Sequence, residues 1–487
     1  MPPSFVRVAG LAAALLGFGL PAAAQDAATE EESRRLRRGD ANATAVRDAG
    51  GDAAELARFA GEDVSYADVL ADPDDIAISY QWARRQVREG QLRGAAATLE
   101  RILLLRPDLA SVRLLYAVVL YRLDSLAEAD RQLEILADGP LTVAERAEVA
   151  RYQRTLRRAS RRTRIDTSLS FGTSYETNRN SAPMSGTRQI QLGPSRLELG
   201  LRSEDREQDD VAFFGMTQLA VEHDLGSHEG HLLLGSFTTY VSQQEDLGDF
   251  NTRAYAIDFG GRYRTSHFDV TPMVFGSLVE LSSETFMKNV GLDLAFERNE
   301  TRRRGERAGL RIEWQDFDAI RQSVTSNEHT GLRVEASLGS TFRATPVHQL
   351  DADLLYRMKD ARGSSTPRTN DVFSYDGPEL RVRHTWLLGG GRFLISQLSA
   401  GRDSYWRADQ RISTKRRRRD LRGGANLIFG VPLEGLLPSA RVGALAEALS
   451  GVVLSLGADY YRVESNLPNY TYDDVKVSLV LSRQWSP

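Results

Sequence analysis

Leu332-Arg-Val-Glu-Ala-Ser-Leu-Gly-Ser-Thr-Phe342 reads with a period of two. One row holds Leu332, Val334, Ala336, Leu338 and Phe342; the row facing away holds Arg333, Glu335, Ser337, Gly339 and Thr341. Such alternation places one row on each face of a β-strand. The same pattern sets Leu310, Ile312 and Trp314 against Arg311, Glu313 and Gln315. It sets Leu350, Ala352, Leu354, Tyr356 and Met358 against Asp351, Asp353, Leu355 and Arg357. Near the C-terminus, Val475, Val477, Leu479, Leu481 and Trp485 alternate with Lys476, Ser478, Ser482 and Gln484. From Ile165 onward helical spacing is absent.

A soluble β-sandwich also alternates, and three features favour a membrane barrel. The strands run to 12–15 residues, beyond the usual soluble length but suited to a tilted membrane crossing. Their polar rows carry full charges of both signs, as a wide wet lumen would. The connections alternate between short (226–228, 265–266, 301–305, 344–347, 388–391) and long (244–251, 281–285, 320–328, 361–372, 407–419, 462–471). Fourteen strands are predicted: 165–176, 211–225, 229–243, 252–265, 267–280, 286–299, 306–319, 329–343, 348–361, 373–387, 391–406, 420–432, 447–461 and 472–485. Residues 189–202 also read as a strand, but counting them as a crossing would move every later loop to the wrong side. They are assigned to the first long connection, as a hairpin arm or constriction. Sixteen strands is the alternative count, with 433–446 the other ambiguous stretch. The expected lumen-facing residues are Arg311, Glu313, Arg333, Glu335, Asp351, Asp353, Arg381 and Arg383.

The 487-residue chain is 41% apolar and 26% charged, has a formal net charge of −4 and contains no cysteine. Disulfides, thiol nucleophiles, Cys-ligated metals and an N-terminal lipidated cysteine are thereby excluded. The near-neutral balance gives no global reason to bind nucleic acid. Residues 1–24 have the layout of a secretory signal peptide: Arg7, the apolar stretch Val8–Leu20, Pro21, then Ala22-Ala23-Ala24 before Gln25. Residues 25–78 follow as an acidic, partly helical linker, with 14 Asp/Glu against 6 Arg from 26 to 78.

From Ser79 the period becomes helical, and a 34-residue self-similarity appears. Ala83 matches Ala117, Leu92 matches Leu126, Ala95 matches Ala129, Leu99 matches Leu133, and Glu100 matches Glu134. Small residues where helices cross, with a Pro after the second helix (Pro107, Pro140), form the tetratricopeptide pattern. Helices are predicted at 79–89, 92–105, 109–122, 125–137 and 142–161, so 79–164 reads as a short tetratricopeptide-like domain whose use is peptide docking or spacing. Its last helix is strongly basic, with Arg151, Arg154, Arg157, Arg158, Arg161, Arg162 and Arg164.

Two stretches resemble surface lipoprotein assembly modifiers (Slam). The first is Leu70-Ala-Asp-Pro-Asp-Asp-Ile-Ala-Ile-Ser-Tyr-Gln-Trp-Ala-Arg84 with Gly90, Leu99-Glu-Arg-Ile-Leu103 and Pro107. The second is the turn Ser174-Tyr-Glu-Thr-Asn-Arg-Asn-Ser-Ala-Pro183, which resembles that family's Asp-Ser-Asn-Val-Asn signature through Glu176, Asn178 and Asn180. The resemblance implies periplasmic tetratricopeptide repeats joined to a fourteen-stranded outer-membrane barrel. It also implies a role in moving lipoproteins or secreted proteins to the cell surface.

No catalytic constellation is evident, and no cofactor or metal is expected. His223, His228 and His231 cluster around a turn without His-Glu-x-x-His helix spacing. The run Lys415-Arg416-Arg417-Arg418-Arg419 falls in a predicted extracellular loop. The leading expectation is a non-enzymatic outer-membrane translocation or assembly factor, α + β, two domains, with residues 165–487 forming the barrel. Expected partners are an exported polypeptide, outer-membrane lipids and a periplasmic chaperone, with no nucleic acid. The alternatives are a passive porin or polysaccharide-export channel and a plugged receptor or adhesin.

Overall fold

The computed structural model describes Leu56 and residues 64–486, apart from 124, 142–145, 147–148, 155, 157–160, 228–229, 266, 300–302, 322, 437–448 and 450. The signal-peptide stretch 1–24 and most of the linker lie outside the described residues. The chain divides into two compact units, with the boundary after Arg161.

The helical unit begins earlier than its spacing suggests. Ser65 caps α1 (Tyr66–Ala71) through a reciprocal capping box with Asp68. Asp75 caps α2 (Ile76–Glu89) by accepting from the backbone N–H groups of Ala77 and Ile78. Gly90, at φ 80°, ends that helix in the left-handed conformation a side chain would resist. Then follow α3 (Leu92–Leu105), α4 (Ala110–Arg122) and α5 (Leu126–Ala137). The starts of α2 and α4, and of α3 and α5, are each 34 residues apart. Of the predicted helix 142–161, only Arg146, residues 149–154 and Leu156 are described, and they are helical. Helix α4 is buried on nearly every side, which is why it has no amphipathic stripe.

The second unit is a closed antiparallel barrel of fourteen strands. Its strands are β1 (Thr163–Glu176), β4 (Asp210–Asp224), β5 (Leu232–Gln244), β6 (Thr252–Arg264), β7 (Asp269–Leu281), β8 (Glu284–Asn299) and β9 (Arg304–Phe317). The circuit continues through β10 (Gly331–Thr345), β11 (His348–Ala361), β12 (Tyr375–Gly389), β13 (Arg392–Tyr405), β14 (Arg419–Pro432), β15 (Val452–Ser465) and β16 (Tyr472–Trp485). Closure is made by β1 against β16, from Thr167↔Trp485 to Glu176↔Lys476. The two remaining strands, β2 (Thr187–Leu192) and β3 (Ser195–Gly200), form a separate hairpin in the first long connection, so 189–202 does not add a crossing.

Register decides what each face presents. Ile312 pairs with Val334 and Val334 with Met358; Ala308 pairs with Leu338, Leu338 with Leu354, and Leu354 with Leu380. These side chains point outward, where Leu338 is 66% exposed and Leu398 64%. An apolar row facing out of a closed barrel is the surface a bilayer covers. The shortest barrel strands have 13 residues, about 43 Å of chain, which at a tilt near 40° still spans the ~25 Å apolar band.

Three connections depart from the expected lengths. The alternation of connection lengths predicts a long loop at 281–285, yet β7 and β8 are joined by Ser282 and Ser283 alone, at φ 48° and 71°, the signature of a tight hairpin turn. The 226–228 turn is longer than expected because β5 starts at Leu232 rather than 229, after Gly226 and Gly230 at positive φ. Strand β15 starts at Val452 rather than 447, following Gly451 at φ 74°.

Candidate functional site in the barrel lumen

All eight predicted lumen residues lie on the inner rows of adjacent strands β9 to β12, where cross-strand register sets opposite charges side by side. Glu313 opposes Arg333, which opposes Lys359; Asp353 opposes Arg381, and Asp351 opposes Arg383. Side chains at matched positions on neighbouring strands sit about 5 Å apart, and Glu313 pairs with Arg333 at that spacing; Asp351 and Asp353 instead take Arg307 from the next strand but one, and Arg383 donates to Gln397.

Three linked clusters result. At the first, the Arg307 guanidinium grips Asp353 through Nε and Nη2, both at 2.8 Å, and reaches Asp351 at 3.1 Å. Thr341 Oγ1 accepts from Arg307 and donates to Asp351. The second centres on Glu313, only 1% exposed. Its carboxylate meets Arg333 at 3.1 Å and Arg311 at 3.6 Å, and accepts from Gln315 at 2.7 Å and Asn289 at 3.2 Å. Arg333 also pairs with Glu335, and Arg311 with Asp293 while lying 3.7 Å from the Phe275 ring centroid. In the third, Glu379 and Asp403 share Arg357 and Arg422, and Arg381 adds a 2.7 Å contact to Glu379.

Arg307, Glu379, Asp403 and Arg422 belong to this wall but are not singled out by the sequence, and Arg357, set on the polar row of its strand there, joins them. Each occupies an inner row, and inner-row parity was the signal available. Their partners are not visible in sequence because Arg357 and Asp403 are 46 residues apart and meet across an intervening strand. Lys359 is buried with neutral acceptors, Gln315 Oε1 at 2.8 Å and the Gly331 carbonyl at 3.3 Å.

The opposite wall is different in kind. Mid-barrel inner positions of β16, β1 and β5 are Ser478, Val480, Ser482, Ser168, Ser170, Gly172, Ser174, Ser236 and Thr238, and β4, between β1 and β5, adds the larger Phe214, Met216 and Gln218. Towards the long-loop end of β5–β9 the inner rows turn apolar, with Tyr240, Val279, Leu281, Met287 and Phe317 in one cluster. The lumen therefore has one wall of charges that largely pair with one another, Lys359 and Arg383 bonding neutral acceptors instead, and one uncharged wall rich in serine.

Glu176, Asn178 and Asn180 sit at the rim rather than in the lumen. Asn178 is fully buried: its backbone N–H donates to Asp474, its Nδ2 to the carbonyls of Ala182 and Asp473, and its Oδ1 accepts from the Ala182 N–H. Asn180 bonds the Arg206 carbonyl and the Gln208 N–H, and Glu176 pairs with Arg179. This turn ties β1 to β16 and to the start of β4; what it does is position a loop. At the same end, Arg418 turns inward from the basic run, pairing with Asp420 and lying 3.5 Å from the Tyr470 ring centroid. The run is thus not a uniform exposed patch.

His223 bonds Thr163, and His231 accepts from the Arg264 N–H, while His228 lies outside the described residues. Among the described residues no group of three or more His, Asp or Glu is arranged to hold a metal ion. In the helical unit, Ala83, Ala95, Ala117 and Ala129 are all buried at helix contacts.

No family model matches this chain, and none of the curated proteins does. Among solved structures, it is similar to OccK8 (OprE) of Pseudomonas aeruginosa at 10% identity, covering 67% of this chain and 98% of that one with a TM-score of 0.31. OpdK of the same organism gives 11% identity, 66% and 99% coverage and a TM-score of 0.30. OccAB3 of Acinetobacter baumannii gives 8%, 67% and 99%, and 0.31. Likeness this remote leaves function to the geometry of the chain itself.

Proposed function

We propose that this chain is a non-enzymatic outer-membrane channel of a Gram-negative bacterium, passing a polar solute through its lumen. The observation that carries this reading is the two-walled lumen inside an apolar exterior. The charged row on β9–β14 keeps the path hydrated, and its matched signs prevent any one site from trapping a passing ion. The serine-rich wall offers hydroxyls without charge. The helical unit leads directly into β1, whose start lies at the barrel end opposite most of the long connections, and this supports a periplasmic location for the helical unit. Purified full-length protein in liposomes should admit small sugars and exclude large ones in a swelling assay. A folded barrel that admits none overturns the reading.

A second reading is favoured by one specific observation, the 34-residue recurrence of helix starts with buried alanines at the crossings. That recurrence supports a tetratricopeptide-like domain which captures an exported polypeptide, with delivery through the barrel as in the Slam family that the sequence resembles. Outer-membrane lipids and a periplasmic chaperone would be its other partners. Crosslinking from residues 79–164 in cells distinguishes the two. Recovery of one exported protein, lost from the surface when this chain is deleted, supports translocation; solute uptake with no polypeptide partner supports the channel.

A further inference from the structure

The β2–β3 hairpin forms a sheet separate from that of the barrel, and among the described residues only its β2 edge is bonded further. Its two-residue turn, Gly193-Pro194, makes Leu192↔Ser195 the closing pair. In such a hairpin alternate pairs exchange hydrogen bonds, so Ile190↔Leu197 and Arg188↔Leu199 bond internally while the residues between them point their backbone groups outward. On β2 those outward groups are satisfied. Gln189 donates to Asn469 Oδ1 at 2.7 Å and accepts from Asn469 Nδ2 at 2.9 Å, and the Gln191 N–H donates to the Arg411 carbonyl at 2.8 Å. On β3 the corresponding residues are Arg196 and Glu198. Every residue of β3 is exposed, and neither Arg196 nor Glu198 has a hydrogen-bond or ion-pair partner among the described residues.

The hairpin's two faces also differ. Ile190, Leu192, Leu197 and Leu199 share one face with Arg188 and Ser195, the three leucines 55%, 42% and 49% exposed; Gln189, Gln191, Arg196 and Glu198 share the other. An open edge with free N–H and C=O groups cannot rest in hydrocarbon. Such an edge recruits another strand.

We propose that the strand it recruits is β3 of a second copy. The sequence Ser195-Arg-Leu-Glu-Leu199 is self-complementary about Leu197. In an antiparallel pairing centred there, Arg196 of each copy stands opposite Glu198 of the other, and Leu197 meets Leu197. Arg196 and Glu198 are also the residues whose backbone groups face the open edge, so the charge pairing and the hydrogen-bonding register agree. A two-fold axis generates both ion pairs at once, as a self-complementary interface requires. The apolar faces of the two hairpins then join into one four-stranded surface. Confinement of both copies in one membrane raises their effective concentration and favours so short an interface.

The chain's lack of cysteine makes the test direct. Leu197→Cys in the full chain, oxidised in membranes, should form a disulfide-linked dimer. Facing residues at a non-hydrogen-bonded antiparallel pair lie about 4.5 Å apart, within disulfide reach. Ser195→Cys should not crosslink, because its mate lies about 13 Å along the strand. Arg196→Glu and Glu198→Arg should each weaken the dimer about tenfold, and the double variant should restore it. A folded Leu197→Cys barrel that stays monomeric overturns the proposal. So does equal crosslinking of Ser195→Cys, or capture of an exported polypeptide instead of a second copy.

Discussion

Glu313 is the residue on which the charged wall most depends. It meets two guanidiniums and two amides at once, and it is almost wholly buried. Removing one member of a buried ionic cluster leaves the others desolvated without compensation, a cost of about 3–5 kcal/mol. Glu313→Ala should lower the urea midpoint of the detergent-folded protein accordingly; Glu335→Gln, which is more exposed and pairs only with Arg333, should lower it far less. Asn178 acts by neutral bonds. Asn178→Ala strands the Ala182 N–H and the Asp473 carbonyl, for an expected loss of about 2 kcal/mol in the same assay. Glu207 has the opposite sign. Partial desolvation of this largely exposed group, reinforced by Asp473, Asp474 and Asp209, holds its carboxyl above the usual 4.5. A carboxyl whose pKa is raised on folding penalises the folded state above that range, and the penalty fades as pH falls. Glu207→Gln should therefore raise the thermal midpoint at pH 8 and leave it little changed at pH 4.

Among the elements, β1 makes the closure possible. At Gly172 an added Cβ would lie 2.6 Å from the Leu479 carbonyl oxygen of β16 and 2.6 Å from the Phe214 ring of β4. The carbonyl belongs to the backbone and cannot swing away. Gly172→Val should accordingly reduce the fraction of protein that runs as a heat-modifiable barrel on gels. Gly423→Ala, with nothing within 4 Å of the added carbon, should leave that fraction unchanged. Strands were the most legible elements in sequence, because a period of two with outward Leu, Val and Phe leaves little choice of face. Boundaries at turns were less legible. Ser282-Ser283 turns at positive φ without glycine, so composition gave no sign of a tight hairpin there.

At the scale of the whole molecule, parity separates inner from outer rows, but it does not show which inner residues join into clusters. Arg357 reaches Asp403 on the next strand but one, and that contact exists only once register and closure are set. The rim was less legible still, since Asn178 finds Asp473 and Asp474 nearly 300 residues away through β1–β16 closure. The helical repeat was legible because its period is a sequence property, and the described helix starts keep it. What these levels share is a barrel, apolar outside and largely polar inside, which is the basis for the channel proposed above. The most direct measurement is single-channel recording of the purified full-length chain in planar bilayers. Discrete conductance steps, altered in ion selectivity by Arg383→Glu, are the predicted result. Protein shown to be inserted and heat-modifiable that gives no conductance above bare lipid would contradict it.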